Sequence, residues 1–320
     1  MGKLNVLAQR QPADHPEPWR DYVAVVVPCY NEEATIAKVV ADFKRVLPGA
    51  QVIVVDNASS DRTALEAEAA GAHVIHESRR GKGFALLHGF RAARGARYVA
   101  MVDGDDTYPA EDVIKLIEAV EDGADVAIGT RLTDYESGAF RSKHTFGNKL
   151  FIGLIRALFG VKTKDLFSGY RVFTQRFLET SPLIAQGFEV ETELSIQALA
   201  GSFLVSEIPV RYRARPAESP SKLNTFRDGY RILIALLAFF RDYRPLMLFS
   251  SVAAVFFLGS LVTGSIVVTE YLRTGQILRM PTAILSVGLA LLGAVSTIGG
   301  LLLSSINRRS AELAALITRR

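Results

Sequence analysis

Asp103, Gly104, Asp105 and Asp106 follow directly on the apolar run Tyr98-Val-Ala-Met-Val102. The run reads as a buried strand, so the chain presents carboxylates where a strand ends. In an open parallel sheet that edge is where ligands bind. Two carboxylates separated by one glycine suit a hard, oxygen-seeking cation such as Mg²⁺ or Mn²⁺, whose other ligands are commonly substrate phosphates. D-G and D-D are also ordinary turn dipeptides, so the assignment depends on the elements that surround them.

Those elements alternate. Val23–Val27 reads as a buried strand, followed by a helix with Ile36, Val39, Val40, Phe43 and Val46 on its apolar face and Asn31 as its cap. Val52–Val55 is a second strand ending at Asp56-Asn57, then a helix from Asp61 to Ala70 stops at Gly71. Ala72–Ile75 and Phe84–Arg94 form the next strand and helix, Pro109 opens a helix after the acidic loop, and Val126–Ile128 closes the series. Short loops between strands and helices predict an α/β fold, a mostly parallel, Rossmann-like sheet covered on both faces. Such a sheet gathers Pro28–Glu32, Asp56 and Asp103–Asp105 into one crevice. Residues 130–215 are less regular, with an apolar-faced helix around 146–158.

The chain has 320 residues, 49% of them apolar, and a net charge of +4; its mean hydropathy is +0.20. The apolar excess lies near the C-terminus, where residues 246–269 and 280–306 contain no charge. At 1.5 Å per residue each can cross a ~30 Å hydrocarbon core. Arg241 and Arg244 precede the first span, and Arg308, Arg309, Arg319 and Arg320 follow the second, which predicts that the large N-terminal part and the tail are cytoplasmic. The start carries no secretory pattern, and Cys29 is the only cysteine, which suits a reducing compartment. The modest positive charge fits a domain held against an anionic leaflet, not a nucleic-acid binder. The chain divides into a loose arm (1–20), the α/β domain (21–222), an interfacial amphipathic helix (223–244), a two-helix membrane region (245–306) and a basic tail (307–320). Small residues on the two spans fit a homo-oligomer, and the pair Ser260/Gly264 is the contact face if the spans serve assembly with a membrane partner.

VPCYNEE at 27–33, VVDNASSD at 54–61, GKGFAL at 81–86 and VDGDD at 102–106 resemble the family 2 glycosyltransferases of GT-A fold. SGYRVF at 168–173, SKL at 221–223 and the two spans make the chain similar to the polyprenyl-phosphate branch, which includes dolichol-phosphate mannose synthase. The resemblance implies that Pro28, Tyr30 and Glu32 cradle a nucleotide, Asp56 accepts a hydrogen bond from its base, and Lys82 approaches the donor. It implies that Asp103 and Asp105 hold Mg²⁺ or Mn²⁺, with Asp105 in direct contact. Thr107 stands where relatives have a further ligand, a place water can take instead. Ser168-Gly169 resembles a turn facing the donor sugar, and Glu189 and Glu191 an acidic pair near its hydroxyls; a charge at a helix N-terminus is the competing account.

A polyprenyl phosphate is an anionic head on an apolar tail, so its site needs cations beside a membrane. Arg131, Arg213 and Lys222 match basic positions of the branch, with Arg171, Arg211 and Arg215 as companions. The implied reaction moves a hexose from a nucleotide sugar, UDP-glucose or UDP-N-acetylglucosamine ahead of GDP-mannose, to that phosphate with inversion. Asp165 matches an acidic position proposed as base. A tethered transferase with a glycan or protein acceptor, a nucleotidyltransferase and a non-enzymatic membrane partner are the other readings.

Overall fold

The computed structural model describes residues 22–131, 153, 165, 167–187, 189–201, 203–216, 234 and 237–317. The expected helix around 146–158, the arm at 1–20, Lys222 and most of the interfacial segment lie outside these residues; positions 237–243 are helical.

Seven strands form one sheet: β1 (Val23–Cys29), β2 (Gln51–Asp56), β3 (His73–His76), β4 (Tyr98–Met101), β5 (Val126–Thr130), β6 (Arg171–Thr174) and β7 (Val205–Pro209). Their order is β3-β2-β1-β4-β6-β5-β7. All pairs are parallel except those of β6, which runs against β4 and β5 with Arg171 opposite both Met101 and Ile128. This reversal matters for the site. The start of β6 lies beside the ends of β4 and β5, so Asp165 and residues 167–170 reach the edge where Asp103 and Arg131 emerge.

Alternation along β1 divides the core. Val23, Val25, Val27 and Cys29 face α1 (Ile36–Val46), α2 (Thr63–Ala69) and α4 (Val113–Glu121), the last entered through a 3₁₀ turn at Ala110–Asp112. Ala24 and Val26 face α3 (Lys82–Ala92), α5 (Gln175–Thr180) and α6 (Val190–Ala200). Both faces are dry, as expected of a parallel sheet, and each fully buried valine or leucine contributes about 1.5–3 kcal/mol of burial free energy.

Asn31 does not cap α1. It takes a left-handed backbone, φ 54°, and its side-chain oxygen accepts from the Ser60 amide at 2.8 Å, tying the loop after β1 to the loop after β2. The helix starts only at Ile36, and Thr35 donates its hydroxyl to the Gly104 carbonyl at 2.7 Å. Asparagine tolerates the left-handed region, which lets it serve the loop instead of the helix. Ala58 and Asp106 share that conformation, at φ 56° each. Among the described residues, every non-glycine with positive φ therefore sits on a loop leaving β1, β2 or β4, where backbone strain commonly accompanies function.

Two long helices complete the chain, α7 (Pro245–Thr274) and α8 (Met280–Ile317). Both are apolar and long enough to cross a membrane over Pro245–Thr274 and Met280–Ser310. They pack as a hairpin through small residues. Ser260 and Ser286 exchange hydroxyl-to-carbonyl bonds of 2.8 and 3.0 Å. A Cβ on Gly264 would lie 2.8 Å from Ser286 Oγ, and one on Gly300 2.7 Å from Phe249 Cβ. The Ser260/Gly264 face expected to serve assembly is thus occupied within the chain.

Candidate active site

Asp103 and Asp105 leave the end of β4 into a cluster of charge. Lys82, the first residue of α3, bridges Asp103 Oδ1 and Glu191 Oε1 from a largely buried position. Burial alone would pull the Lys82 ammonium down, but the carboxylates of Asp103 and Glu191 outweigh it and hold its pKa far above the ordinary lysine value. The glycines around Lys82 serve packing: a Cβ on Gly83 would lie 1.9 Å from the Ala185 carbonyl oxygen, and Gly81 has φ 144°. Both let α3 begin against the backbone of 185–186, which aims Lys82 inward.

Asp105 is buried, and both of its oxygens are engaged. Oδ1 accepts from the Thr107 hydroxyl at 2.6 Å and from the Thr107 amide at 3.2 Å; Oδ2 lies 3.2 Å from Arg215. Burial, and then the neighbouring Asp103 charge, raise its carboxyl above the ordinary value. Two hard carboxylate donors held close against their mutual repulsion fit a divalent cation. Among the described residues no group of three His, Cys, Asp or Glu side chains forms a metal cage, so a cation held by these two carboxylates would draw its other ligands from phosphate oxygens and water. Thr107 is buried with its hydroxyl donated to Asp105, which makes it a group that orients Asp105.

Asp165 and Arg131 meet in a two-pronged ion pair, Nε–Oδ2 2.7 Å and Nη2–Oδ1 2.8 Å. Asp165 also accepts the backbone amides of Phe167 and Arg131, and the Arg131 guanidinium lies 5.4 Å from the Tyr212 ring centroid. The residue expected as base is thus the partner that orients the residue expected to bind phosphate.

The Ser168-Gly169 turn is built into this floor. Ser168 is fully buried and its Oγ receives the Tyr170 amide, while Gly169 donates its amide to the Tyr108 hydroxyl. A Cβ on Gly169 would come 2.2 Å from Asp103 Oδ2, so glycine lets the turn touch the carboxylate. Beneath it, fully buried Arg171 donates to the Ser168 carbonyl and to Ser195 Oγ, each at 2.9 Å. Burial lowers its pKa and the Glu191 charge opposes the shift.

The residues expected to cradle a nucleotide lie at the ends of β1 and β2. Pro28 and Tyr30 are half-buried at the end of β1, with Arg80 stacked 5.1 Å from the Tyr30 ring centroid. Glu32 is buried and pairs with Arg215 at 2.7 Å. Asp56 accepts the Ser59 amide and lies 3.2 Å from His76 Nδ1. Asn57 braces the next loop, donating to the Glu77 and Arg79 carbonyls and accepting the Gly81 amide. Arg213 lies 3.6 Å from Asp106, and Arg211 pairs with buried Asp112 instead of facing the site. Glu189 accepts the Gly187 amide locally, so of the acidic pair only Glu191 joins the cluster. Asn57, Tyr108 and Ser195 carry the scaffold without a sequence reading that singled out those roles; the adjacency of Asn57 to Asp56 and of Tyr108 to Thr107 was the available signal.

Residues 24–181 match the profile of glycosyl transferase family 2. Glycosyltransferase AglJ of Haloferax volcanii is 36% identical over 235 residues, covering 73% of this chain and 77% of that protein. A dolichyl-phosphate hexose transferase of the same organism is 32% identical over 212 residues, covering 66% of this chain and 91% of its own length. Among solved structures, glucosyl-3-phosphoglycerate synthase from Mycobacterium tuberculosis, in complex with Mn²⁺, UDP-glucose and phosphoglyceric acid, shares the fold. Its TM-score is 0.58 at 24% identity, with 72% of this chain and 86% of that chain covered. The chain belongs to glycosyl transferase family 2 and is a glycosyltransferase.

Proposed function

We propose that this glycosyltransferase moves a hexose from a nucleotide sugar to a polyprenyl phosphate at a membrane surface. One observation carries the reading. The acidic loops at the ends of β1, β2 and β4 and the basic residues Arg131 and Arg213 share one edge of the sheet, and the same chain continues into two helices able to span a bilayer. The dolichyl-phosphate hexose transferase among the relatives supports the acceptor class. The UDP-glucose and Mn²⁺ in the glucosyl-3-phosphoglycerate synthase structure support a UDP-sugar and a divalent cation. GDP-mannose as donor, and a glycan or protein as acceptor, are the competing substrates.

Asp103 and Asp105 would hold the cation, which when bound neutralises charge on the departing diphosphate. The remaining work falls to the chain's own residues. Glu32, Tyr30, Pro28 and Asp56 shape the nucleotide side. Lys82 fixes Asp103 and Glu191 relative to each other. Arg131, held rigid by Asp165 and Tyr212, presents a planar cation to the acceptor phosphate. That phosphate is already anionic near neutral pH, so its oxygen can displace the nucleoside diphosphate at the anomeric carbon, with inversion, without a strong base. The basic flanks of the spans favour a cytoplasmic catalytic domain.

The test is Asp105→Ala in the full chain, purified in detergent. Sugar transfer should fall by about a hundredfold or more, with the thermal unfolding transition retained. Near-normal turnover would contradict the assignment.

A further inference from the structure

We propose that the arginines at one end of the α7–α8 hairpin form a docking surface for the headgroups of anionic glycerophospholipids. The inference rests on the two helices spanning a bilayer and goes beyond the transfer reaction.

α7 has 30 residues, about 45 Å of helix, which matches a bilayer of about 40–45 Å with its headgroup layers included. The ends of α7 therefore stand at the level of the lipid phosphates. The charge at those two ends differs. Where α7 begins, Arg241 and Arg244 precede Pro245. The Asn307 side chain donates to the Asp242 carbonyl, which brings Arg308 and Arg309, the next two residues of α8, to the same end. At the opposite end Arg273 and Arg279 stand with Glu270, and Arg279 lies 3.4 Å from that carboxylate.

Arg241, Arg244, Arg308 and Arg309 are all exposed. Two of them are engaged locally, Arg241 with Asp242 at 2.7 Å and Arg308 with Glu312 at 3.1 Å, and every partner in these pairs is more than half exposed. Such surface pairs are weak and give way to a competing anion. Arg244 and Arg309 make no ion pair among the described residues. The planar fork of a guanidinium matches the oxygens of a phosphodiester. A zwitterionic headgroup offers the same phosphate, but its ammonium group is repelled by the neighbouring arginines, so the surface selects lipids of net negative charge. Tyr243, 38% exposed between Arg241 and Arg244, adds an aromatic ring with a polar tip, which suits the same level. Headgroups held there fix the depth at which the chain enters the bilayer.

The experiment uses the full chain reconstituted in phosphatidylcholine vesicles that carry a trace of spin-labelled phosphatidylglycerol or spin-labelled phosphatidylcholine. Electron paramagnetic resonance separates lipid held at the protein from bulk lipid. Phosphatidylglycerol should be held about fivefold more tightly than phosphatidylcholine. The preference should approach parity when ionic strength rises from about 0.01 to about 1 M, where the Debye length falls from about 30 to about 3 Å. R244Q/R309Q should cut it to about twofold or less, and R273Q, at the other end, should keep the wild-type preference. If the double variant does not reconstitute, R309Q is measured in its place, with a partial loss expected. Equal association of the two lipids with the wild type, or a preference that survives both salt and the arginine variant, would overturn the proposal. Either result leaves the transferase reading intact, because transfer is assayed in detergent. No lipid held at the protein at all would overturn the spanning of the bilayer and the proposal with it.

Discussion

The Arg131–Asp165 pair is the centre of the proposed acceptor side. An aspartate that accepts two guanidinium bonds and two backbone amides has its lone pairs directed at donors, so its effect on the reaction runs through Arg131. Asp165→Asn should destabilise the fold by about 3 kcal/mol, the usual result of leaving a buried ionic partner uncompensated. It should raise the KM for the lipid acceptor more than it lowers kcat, with the pH–rate profile unchanged in shape. A kcat loss with an altered limb of that profile would instead make Asp165 the base. At this scale the sequence was legible in residue type more than in partnership. Asp103, Asp105, Glu32, Lys82 and Arg131 are all in one cluster, but nothing in spacing could show that Lys82 bridges residues at 103 and 191. Partners so distant in sequence are set by the sheet.

The loop between β3 and α3 shows how an element braces a site from its edge, with Arg80 against the Tyr30 ring. Glu77 binds Arg79 through two side-chain bonds of 2.9 and 2.7 Å, and Asn57 clasps the same loop by its carbonyls. The Arg79 guanidinium, against some opposing burial, lowers the Glu77 carboxyl from 4.5 to about 2. A carboxyl depressed in the folded state contributes stability that is complete above pH 4.5 and is lost as pH falls toward 2. Glu77→Gln should lower the melting temperature at neutral pH and flatten its decline between those values; an unchanged acid limb would show that the pair contributes nothing. The strands β1, β2, β4 and β5 were legible because they are buried on both faces and read as apolar runs. β6 and β7 were not. β6 has four residues, one of them a buried arginine, and β7 is only partly covered, so neither carries a pattern. Their absence from the sequence reading hid how Ser168 and Gly169 reach Asp103. Asn31 misled for a related reason: a residue able to cap a helix can equally take a left-handed turn, and the contact with Ser60 decides between them.

In the whole molecule, a helical segment at 237–243 leads into the hairpin of α7 and α8. The Asn307 side chain of α8 donates to the Asp242 carbonyl just before α7, so the end of the second span is tied to the chain entering the first. Burial, with the Glu193 and Asp242 charges, raises the neighbouring Tyr243 hydroxyl to about 12. Glu193 belongs to α6, whose first turn also supplies Glu191 to the active site. The proposed reaction asks for such a join, since its acceptor would sit in a lipid surface and its donor would come from water.

The most direct measurement offers the full chain in detergent a polyprenyl phosphate, Mg²⁺ or Mn²⁺ and, one at a time, labelled UDP-glucose, UDP-N-acetylglucosamine and GDP-mannose. Label entering the lipid phase from one donor, and lost on chelation, is the predicted result. Release of the nucleoside diphosphate with label passing only to a water-soluble acceptor would contradict the account.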